Sequence, residues 1–505
     1  MRFDFFYQRL SSFNTCTSMR RLGFILGGIV ALIALCSDVF DVIGNDSILY
    51  IQTAEIYKEF GFQAAFDKYN WPAYSILIAW VHAGTGFTLI NSAYFLNFIL
   101  VLILADAFFR LYWEVFPECK FHWIPLVIFL AYSGINDYRA EIIRDWGFWA
   151  FAMLAFLYFI RAYNKGGKAN YFFWQICMSV ALIFRVEAVV FMLMLPLFLL
   201  FSRMPVLKFI QATSLFWGAG IVLLVWFGLT DAFEADYWGK LGEIAPYFDV
   251  VGVLSVFKQG SLQIAEQVFP HHADSHAVLF MVAGLLGVLS IKVLAKLGYL
   301  YLFMGIAGWF NRQIAVRSKT VSLVLFLIFV CLFIVFVFFA FTKVLAGRYI
   351  ILASLLMLVF IAYFLEQVII YCLVNNKKSY LVGLMCLLLV NFIVGITHSG
   401  SKKIDLKNIG IWTDRNIPGH ARVLSNEVRL CFYSNRQSNC HKSSYDKIDI
   451  LNNEALLGYD YLLWRMKGQE SVINTLLSLG KLKQIYAVDD SKPSASAVLY
   501  KIVNS

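Results

Sequence analysis

The stretch Val321–Phe341 reads VSLVLFLIFVCLFIVFVFFAF and carries no charge. As a helix it is long enough to cross the roughly 30 Å hydrocarbon core of a bilayer. Backbone N–H and C=O groups find no water at that depth, so a lipid-spanning chain must be helical or a closed barrel. Apolar runs of this kind recur along the chain, at a mean hydropathy of +0.70 and with 60% hydrophobic residues. They specify a helical, polytopic membrane protein. The pattern stops at the last run, Tyr380–Ile396, and the sequence from Thr397 to Ser505 is polar. The chain therefore divides into a transmembrane part, 1–396, and a C-terminal domain, 397–505.

In a soluble protein the net charge of +10 would point to nucleic acid. Here the basic residues sit in short loops between apolar runs, which is the positive-inside pattern and excludes that reading. The 48 Phe, 26 Tyr and 13 Trp suit lipid-facing surfaces and interfacial belts. Met1–Arg21 is polar and basic, and no small-residue cleavage site follows, so Leu22–Val39 is expected to be a retained signal anchor.

Alternation then sets the topology. Arg2, Arg9, Arg20 and Arg21 place the N-terminus in the cytoplasm, and 41–91 is a long outer loop in which Tyr74–Val81 dips into the interface. Expected spans follow at Ala93–Tyr112, Trp123–Ile135, Trp146–Tyr163, Tyr171–Phe184, Val189–Phe201 and Phe209–Leu229, with a second outer loop at 230–275. Lys292 and Lys296 split Ala277–Phe310, which is either one span with an interfacial helix or two spans. A single crossing keeps every basic loop in the cytoplasm. The expected fold is thus an all-α bundle of about eleven transmembrane helices with an outer C-terminal domain, in the inner (cytoplasmic) membrane.

Most of the nine cysteines lie in or near apolar runs and act as small apolar residues. Cys431 and Cys440, in CFYSNRQSNC, are the exception, and suit a disulfide in an oxidising, periplasmic compartment, with a zinc site beside His420 and His441 as the weaker alternative. The rest of the tail reads as a small α/β module. Ala421–Leu424 and Tyr433 look strand-like, Tyr461–Met466 is another apolar run, Glu470–Leu479 has helical spacing, and Ile485–Val488 and Ala497–Ile502 read as strands. It shows no catalytic motif, which suits a lid or acceptor-docking role.

The chemistry must then come from charges at the outer ends of the spans. Asp46 opens the first outer loop. Glu141, Arg144 and Asp145 share one helix face at spacings of three and four. Arg185 and Glu187 interrupt ALIFRVEAVVF, and Lys343, Arg348 and Tyr349 precede a late span. Ionisable groups at membrane depth are costly unless paired or hydrated, so each marks a candidate site. Each also has a plainer explanation: Asp46 as a helix cap, the Glu141 cluster as interfacial ion pairs, Arg185 and Glu187 as a mutual pair, Arg348 as a headgroup anchor. His271, His272 and His276 beside Asp274 look metal-like but suit a solvated loop.

The order of these features resembles the GT-C class of integral-membrane glycosyltransferases, such as lipid A aminoarabinose transferases and protein O-mannosyltransferases. The match begins at Asn45-Asp46-Ser47-Ile48-Leu49-Tyr50 and continues at Asn70-Trp71-Pro72-Ala73-Tyr74, where the class carries a proline-containing segment. It extends to Arg144-Asp145 and to Gly347-Arg348-Tyr349. The chain has Asn45-Asp46 where the class often pairs two acids, and Asn70 where it places a cation before the prolines. The donor-phosphate contact is left to Arg139, Arg144, Arg185 and Arg348.

The resemblance implies transfer of a sugar from a polyprenyl-phosphate-linked donor to an acceptor hydroxyl at the outer face. Asp46 would be the general base of an inverting displacement, and arginines would hold the departing phosphate. Asp145 would orient the acceptor or help hold a divalent metal, with Glu141, Glu187, Tyr50 and Tyr349 lining the site. Partners would be the lipid-linked donor, a glycan, lipid or protein acceptor, and membrane lipids, without nucleic acid. A flippase for lipid-linked glycans would use similar charges but should show an internal repeat, which is not seen. An O-antigen-type polymerase should show arginine-rich outer loops, whereas these are mixed in charge. The sugar, the acceptor, the metal and the oligomeric state are not encoded legibly.

Overall fold

The structure, a computed structural model, describes residues 17–18, 20–25, 28, 43–139, 141–230, 250–268, 276–310, 318–397, 404–436, 439–442, 456, 458–466, 470–487 and 497–503. They fall into two compact units. The first takes the described residues within Met1–Leu32, Thr53–Arg139 and Ile143–His398. The second takes those within Ile33–Gln52, Ala140–Ile142 and Ser399–Ser505. Two short pieces of the N-terminal half thus belong with the polar tail, beyond the division at residue 397 that composition suggests.

The first unit is helical. α1 (Asn45–Lys68) starts in the second unit, enters the first at Thr53, and is interrupted at Gly61, where φ is 83°. α2 (Ala73–Thr85) covers the expected dip, and α3 (Leu89–Val115) begins where Thr88 Oγ1 accepts from Asn91 N–H at 3.2 Å. After α4 (Ile124–Leu130) and α5 (Ser133–Asn136) come α6 (Asp145–Lys165), α7 (Lys168–Phe184), α8 (Ala188–Phe201), α9 (Val206–Thr230) and α10 (Val250–Val268). α11 (Ala277–Leu297), α12 (Tyr299–Phe310), α13 (Lys319–Thr342), α14 (Ile351–Val374) and α15 (Lys378–Thr397) complete it, with a 3₁₀ turn, Gly347–Ile350, leading into α14. α6 is the central helix and packs along α7 and α3.

Among the described residues, five helices are long and apolar enough to cross a bilayer: Leu89–Val115, Asp145–Lys165, Ala277–Leu297, Lys319–Thr342 and Gly347–Val374. Two expected features are corrected. Trp123–Ile135 is not one span, because α4 ends after seven residues, roughly 10 Å of rise. Tyr132 is extended, and Asn136 Nδ2 donates to Leu130 O at 3.0 Å, taking a carbonyl a continuing helix would have used.

The second correction concerns the placing of Lys296 within Ala277–Phe310. Met281 and Leu285 pack against Phe339 and Ala340, whereas Leu289 and Val293 pack against Val335 and Ile350. α11 thus meets α13 only within Leu332–Ala340, roughly 12 Å, and both its ends come to the same end of the bundle, with Met281 and Lys343 against Gly260 and Lys296 against Gly347. By length α11 could span a membrane, but these contacts lay it across the end of the bundle. Gly298, with φ 87°, turns the chain. α12 then runs inward, with Tyr301 Oη donating to Ile128 O at 3.3 Å and Gly305 beside Ile361. The order is an interfacial helix followed by a descending one. Lys296 consequently lies with Asp137 and Gly347 and not, as loop counting suggests, at the end that carries Lys165 and Lys319. That opposite end is closed by Thr320 donating to Asn164 and by buried Glu366, which accepts from Tyr112 Oη at 2.8 Å and from the backbone N–H of Phe121 at 3.2 Å.

The second unit holds a five-stranded sheet in the order β2-β1-β3-β5-β4. β1 (Val423–Ser425) pairs in parallel with β2 (Cys440–Lys442) and β3 (Tyr461–Arg465). β5 (Ala497–Ile502) pairs antiparallel with β3 and with β4 (Leu482–Ala487). α16 (Ile404–Asn416) and α18 (Glu470–Ser478) flank it, and Tyr433, read from sequence as strand, ends the short helix α17 (Val428–Tyr433). Buried Leu462, Trp464, Ile473 and Tyr500 form one core cluster, and Ile409, Val423, Leu463 and Leu499 another. Cys431 and Cys440 are bridged, with Cα atoms 5.4 Å apart. Burial alone would raise the Glu427 pKa, but bonds from Arg429 and the nearby Arg465 hold it below its usual range.

Candidate functional site

Chain reversals bring five of the candidate residues to one end of the first unit. Asp145 opens α6, Arg185 follows α7, Glu187 precedes α8, and Arg348 and Tyr349 lie in the turn before α14. Together they line a cavity of about 40 Å³, room for a few water molecules, whose remaining wall includes Phe148, Trp149 and Phe338.

Arg185 is the hub. Its Nη1 donates to Asp145 Oδ1, its Nη2 to Glu187 Oε1, and its Nε to Glu187 Oε2 at 3.2 Å. The guanidinium lies 4.7 Å from the ring centroid of Tyr349 and 5.8 Å from that of Phe148. Arg185 is 7% exposed and Asp145 2%. At such burial an unpaired charge is strongly unfavourable, so three charges in one hydrogen-bonded group is the arrangement expected. Burial opposes ionisation of Glu187, but the guanidinium outweighs it and holds the carboxyl below the usual range.

Arg348 is half-buried, with its guanidinium 5.5 Å from the Tyr349 centroid on the cavity wall. Arg144 lies 5.8 Å from the ring centroid of Tyr69, and Arg139 Nε donates to Asn136 O at 3.3 Å. Neither lines the cavity. Lys343 closes α13 at φ 59° and donates to Ala340 O.

Asp46, Tyr50 and Glu141 belong to the second unit. Asp46 is half-buried in the first turn of α1, where the helix dipole favours a carboxylate, and Tyr50 is buried one turn on. Ser47 Oγ donates to Ile142 O at 3.1 Å, and Ile43 N–H donates to Tyr433 Oη at 3.0 Å. The turn bearing Asp46 is thus fastened to the tail, a link that composition alone could not reveal. A Cβ on Gly44 would come within 2.5 Å of Glu141 Oε2, so the glycine allows that carboxylate to lie against the chain next to Asp46. Gly44→Ala is expected to fold near wild type, because a flexible carboxylate can swing aside. Activity should fall about tenfold, a coupling ordinary for groups in contact. Paired thermal-midpoint and activity measurements check this, and unchanged activity would remove Glu141 from the site.

The side chains at Asp145 do not fit a divalent metal, since Asp145 and Glu187 already share a guanidinium. Among the described residues no group of three or more His, Cys, Asp or Glu gathers as metal ligands. His271, His272 and Asp274 lie outside the described residues, and His276 stands at the start of α11 without a side-chain cap bond. Sequence reasoning missed Lys296, Asp137 and Tyr138, which meet beside Gly347. One signal was available: Met281, Leu285, Leu289, Val293 and Leu297 recur every fourth residue and mark one packed face.

No family model matches the chain, and no curated protein does either. Solved structures do. The archaeal oligosaccharyltransferase AglB from Archaeoglobus fulgidus, in complex with an inhibitory peptide and a dolichol-phosphate, matches over 96% of this chain and 74% of its own, with a TM-score of 0.57 and 11% identity. ArnT from Cupriavidus metallidurans in the apo state matches over 96% of this chain and 98% of its own, with a TM-score of 0.54 and 11% identity. ArnT bound to undecaprenyl phosphate has the same coverage and a TM-score of 0.51. At 11% identity the likeness is one of fold, and the fold of this chain is that of GT-C class integral-membrane glycosyltransferases.

Proposed function

We propose that the chain is a membrane glycosyltransferase that moves a sugar from a polyprenyl-phosphate-linked donor to an acceptor hydroxyl. The observation that carries this is the fold. It extends over 96% of the chain, and its neighbours were captured with dolichol-phosphate and undecaprenyl phosphate. The lipid tail would lie in the bilayer against the apolar faces of the helices, with the phosphate at the charged end of the bundle. Asp46 takes the proton of the acceptor hydroxyl, the oxygen attacks the anomeric carbon with inversion, and the bond to the phosphate oxygen breaks, leaving its electron pair on the phosphate. A guanidinium stabilises the charge that grows there.

Arg185 is held by two carboxylates, and Arg348 is the other candidate arginine on the cavity wall, so we assign it the phosphate role, with Arg144 as the second candidate. Arg185 then serves as a positioning residue for Asp145 and, through its stacking contact, for Tyr349. In place of a metal, this guanidinium holds the acids in register. The direct test supplies the purified full chain with a radiolabelled polyprenyl-phosphate sugar and envelope glycans, lipids or proteins as acceptors. Label should move to an acceptor and be released with inverted anomeric configuration. Retained configuration would exclude the single displacement, and absence of transfer from any such donor would exclude the activity.

A further inference from the structure

α11 lies across the end of the bundle that carries the cavity, and a lysine near its C-terminus ties it down. Lys296 Nζ donates to Asp137 Oδ2 at 2.7 Å and sits 4.8 Å from the ring centroid of Tyr138. Its methylene stem passes over the backbone of Gly347, where an added Cβ would collide with Lys296 Cε and lie 2.9 Å from Tyr138 Oη. Gly347 begins the turn that delivers Arg348 and Tyr349 to the cavity. From the same helix, Leu289 and Val293 pack on Ile350, with Tyr349 at the edge of that cluster. Tyr138 in turn meets Trp149, another wall residue, edge-on at 6.0 Å. The turn is therefore held by a charge pair, a glycine contact and an apolar seam, all involving α11.

Lys296 itself does not line the cavity, so its charge is not delivered there directly. Resting on the assignment of Arg348 as the phosphate ligand, we infer that Lys296 is a positioning residue for that arginine. Its ion pair with Asp137 fastens α11 over the Gly347–Ile350 turn and so sets where Arg348 meets the donor phosphate. The Lys296 and Asp137 side chains are 21% and 33% exposed, and a partly solvated ion pair adds little to overall stability. Its removal should thus be felt in the geometry of the turn more than in the folding of the bundle.

The experiment titrates the purified full chain with undecaprenyl phosphate and, in parallel, records the lipid-free thermal midpoint. Lys296→Met and Asp137→Asn should each weaken lipid binding by about tenfold at a wild-type midpoint, a coupling ordinary for residues in contact. Lys296→Arg keeps the charge and should bind within about threefold of wild type. Arg348→Ala is the reference for the donor site. If the wild-type chain binds no undecaprenyl phosphate, or Arg348→Ala binds as well as wild type, the donor-site assignment fails and the inference with it. If Arg348→Ala loses the lipid while Lys296→Met and Asp137→Asn keep it, the positioning role alone is overturned. Should Lys296→Met lose its midpoint, Asp137→Asn decides, because it leaves the lysine stem in place: lipid lost at an unchanged midpoint supports the inference, and lipid retained overturns it.

Discussion

Asp46→Asn is expected to lower sugar transfer by roughly 10²–10⁴-fold, the usual contribution of a positioned general base. Folding should be almost untouched. Asparagine has nearly the same shape, remains acceptable in a first helical turn, and leaves the neighbouring anchors in place. Those anchors are Ser47 Oγ on Ile142 O and Ile43 N–H on Tyr433 Oη, neither of which uses the Asp46 carboxylate. The measurement is transfer rate beside thermal midpoint, with donor-lipid binding as a third readout. Binding should survive, because the carboxylate acts on the acceptor proton. A variant that keeps more than about a third of wild-type activity would show that the base lies elsewhere, with Asp145 the next carboxylate to examine.

Much of the candidate site was legible because burying charge is expensive. Asp145, Arg185, Glu187 and Arg348 interrupt apolar sequence, and the structure gathers all four around one cavity. Apolar runs also located α3, α6, α7, α8 and α13 to within a few residues. Hydrophobicity, however, reports burial and not direction. Ala277–Leu297 is as apolar as a spanning helix, yet it lies across the bundle end, because its packed face meets only a short length of α13. Lysines were read as markers of one membrane face, and Lys296 broke that rule by pairing with Asp137 from a distant segment. Trp123–Ile135 failed for a local reason, the side chain of Asn136 competing for a helix carbonyl. The attachment of the Asp46 turn to Tyr433 joins residues 390 apart in sequence, and no local pattern encodes a contact of that range.

Arg185→Ala should be the most damaging single change to folding, at a cost of about 3–5 kcal/mol, because it strands buried acids without a partner. The sequence suggests one pair, Arg185 with Glu187, for which a double truncation would be the natural rescue. The structure adds Asp145 as a second acceptor on the same guanidinium, so Arg185→Ala/Glu187→Ala still leaves a carboxylate 2% exposed and unpaired. That double variant should therefore recover only part of the loss. Arg185→Lys should also be poor, since one ammonium cannot reproduce three N–H bonds aimed at two carboxylates in a fixed fork. Neutralising the whole group together, as Arg185→Leu/Asp145→Asn/Glu187→Gln, removes every stranded charge and should return the midpoint close to wild type while transfer stays low. Thermal unfolding of the four variants in one lipid or detergent system gives the ordering. A full rescue by the double variant would mean that Asp145 does not depend on Arg185, and the hub would reduce to a simple pair. A midpoint unchanged in Arg185→Ala would mean that the acids are protonated or hydrated, and the charge balance derived for the cavity would not hold.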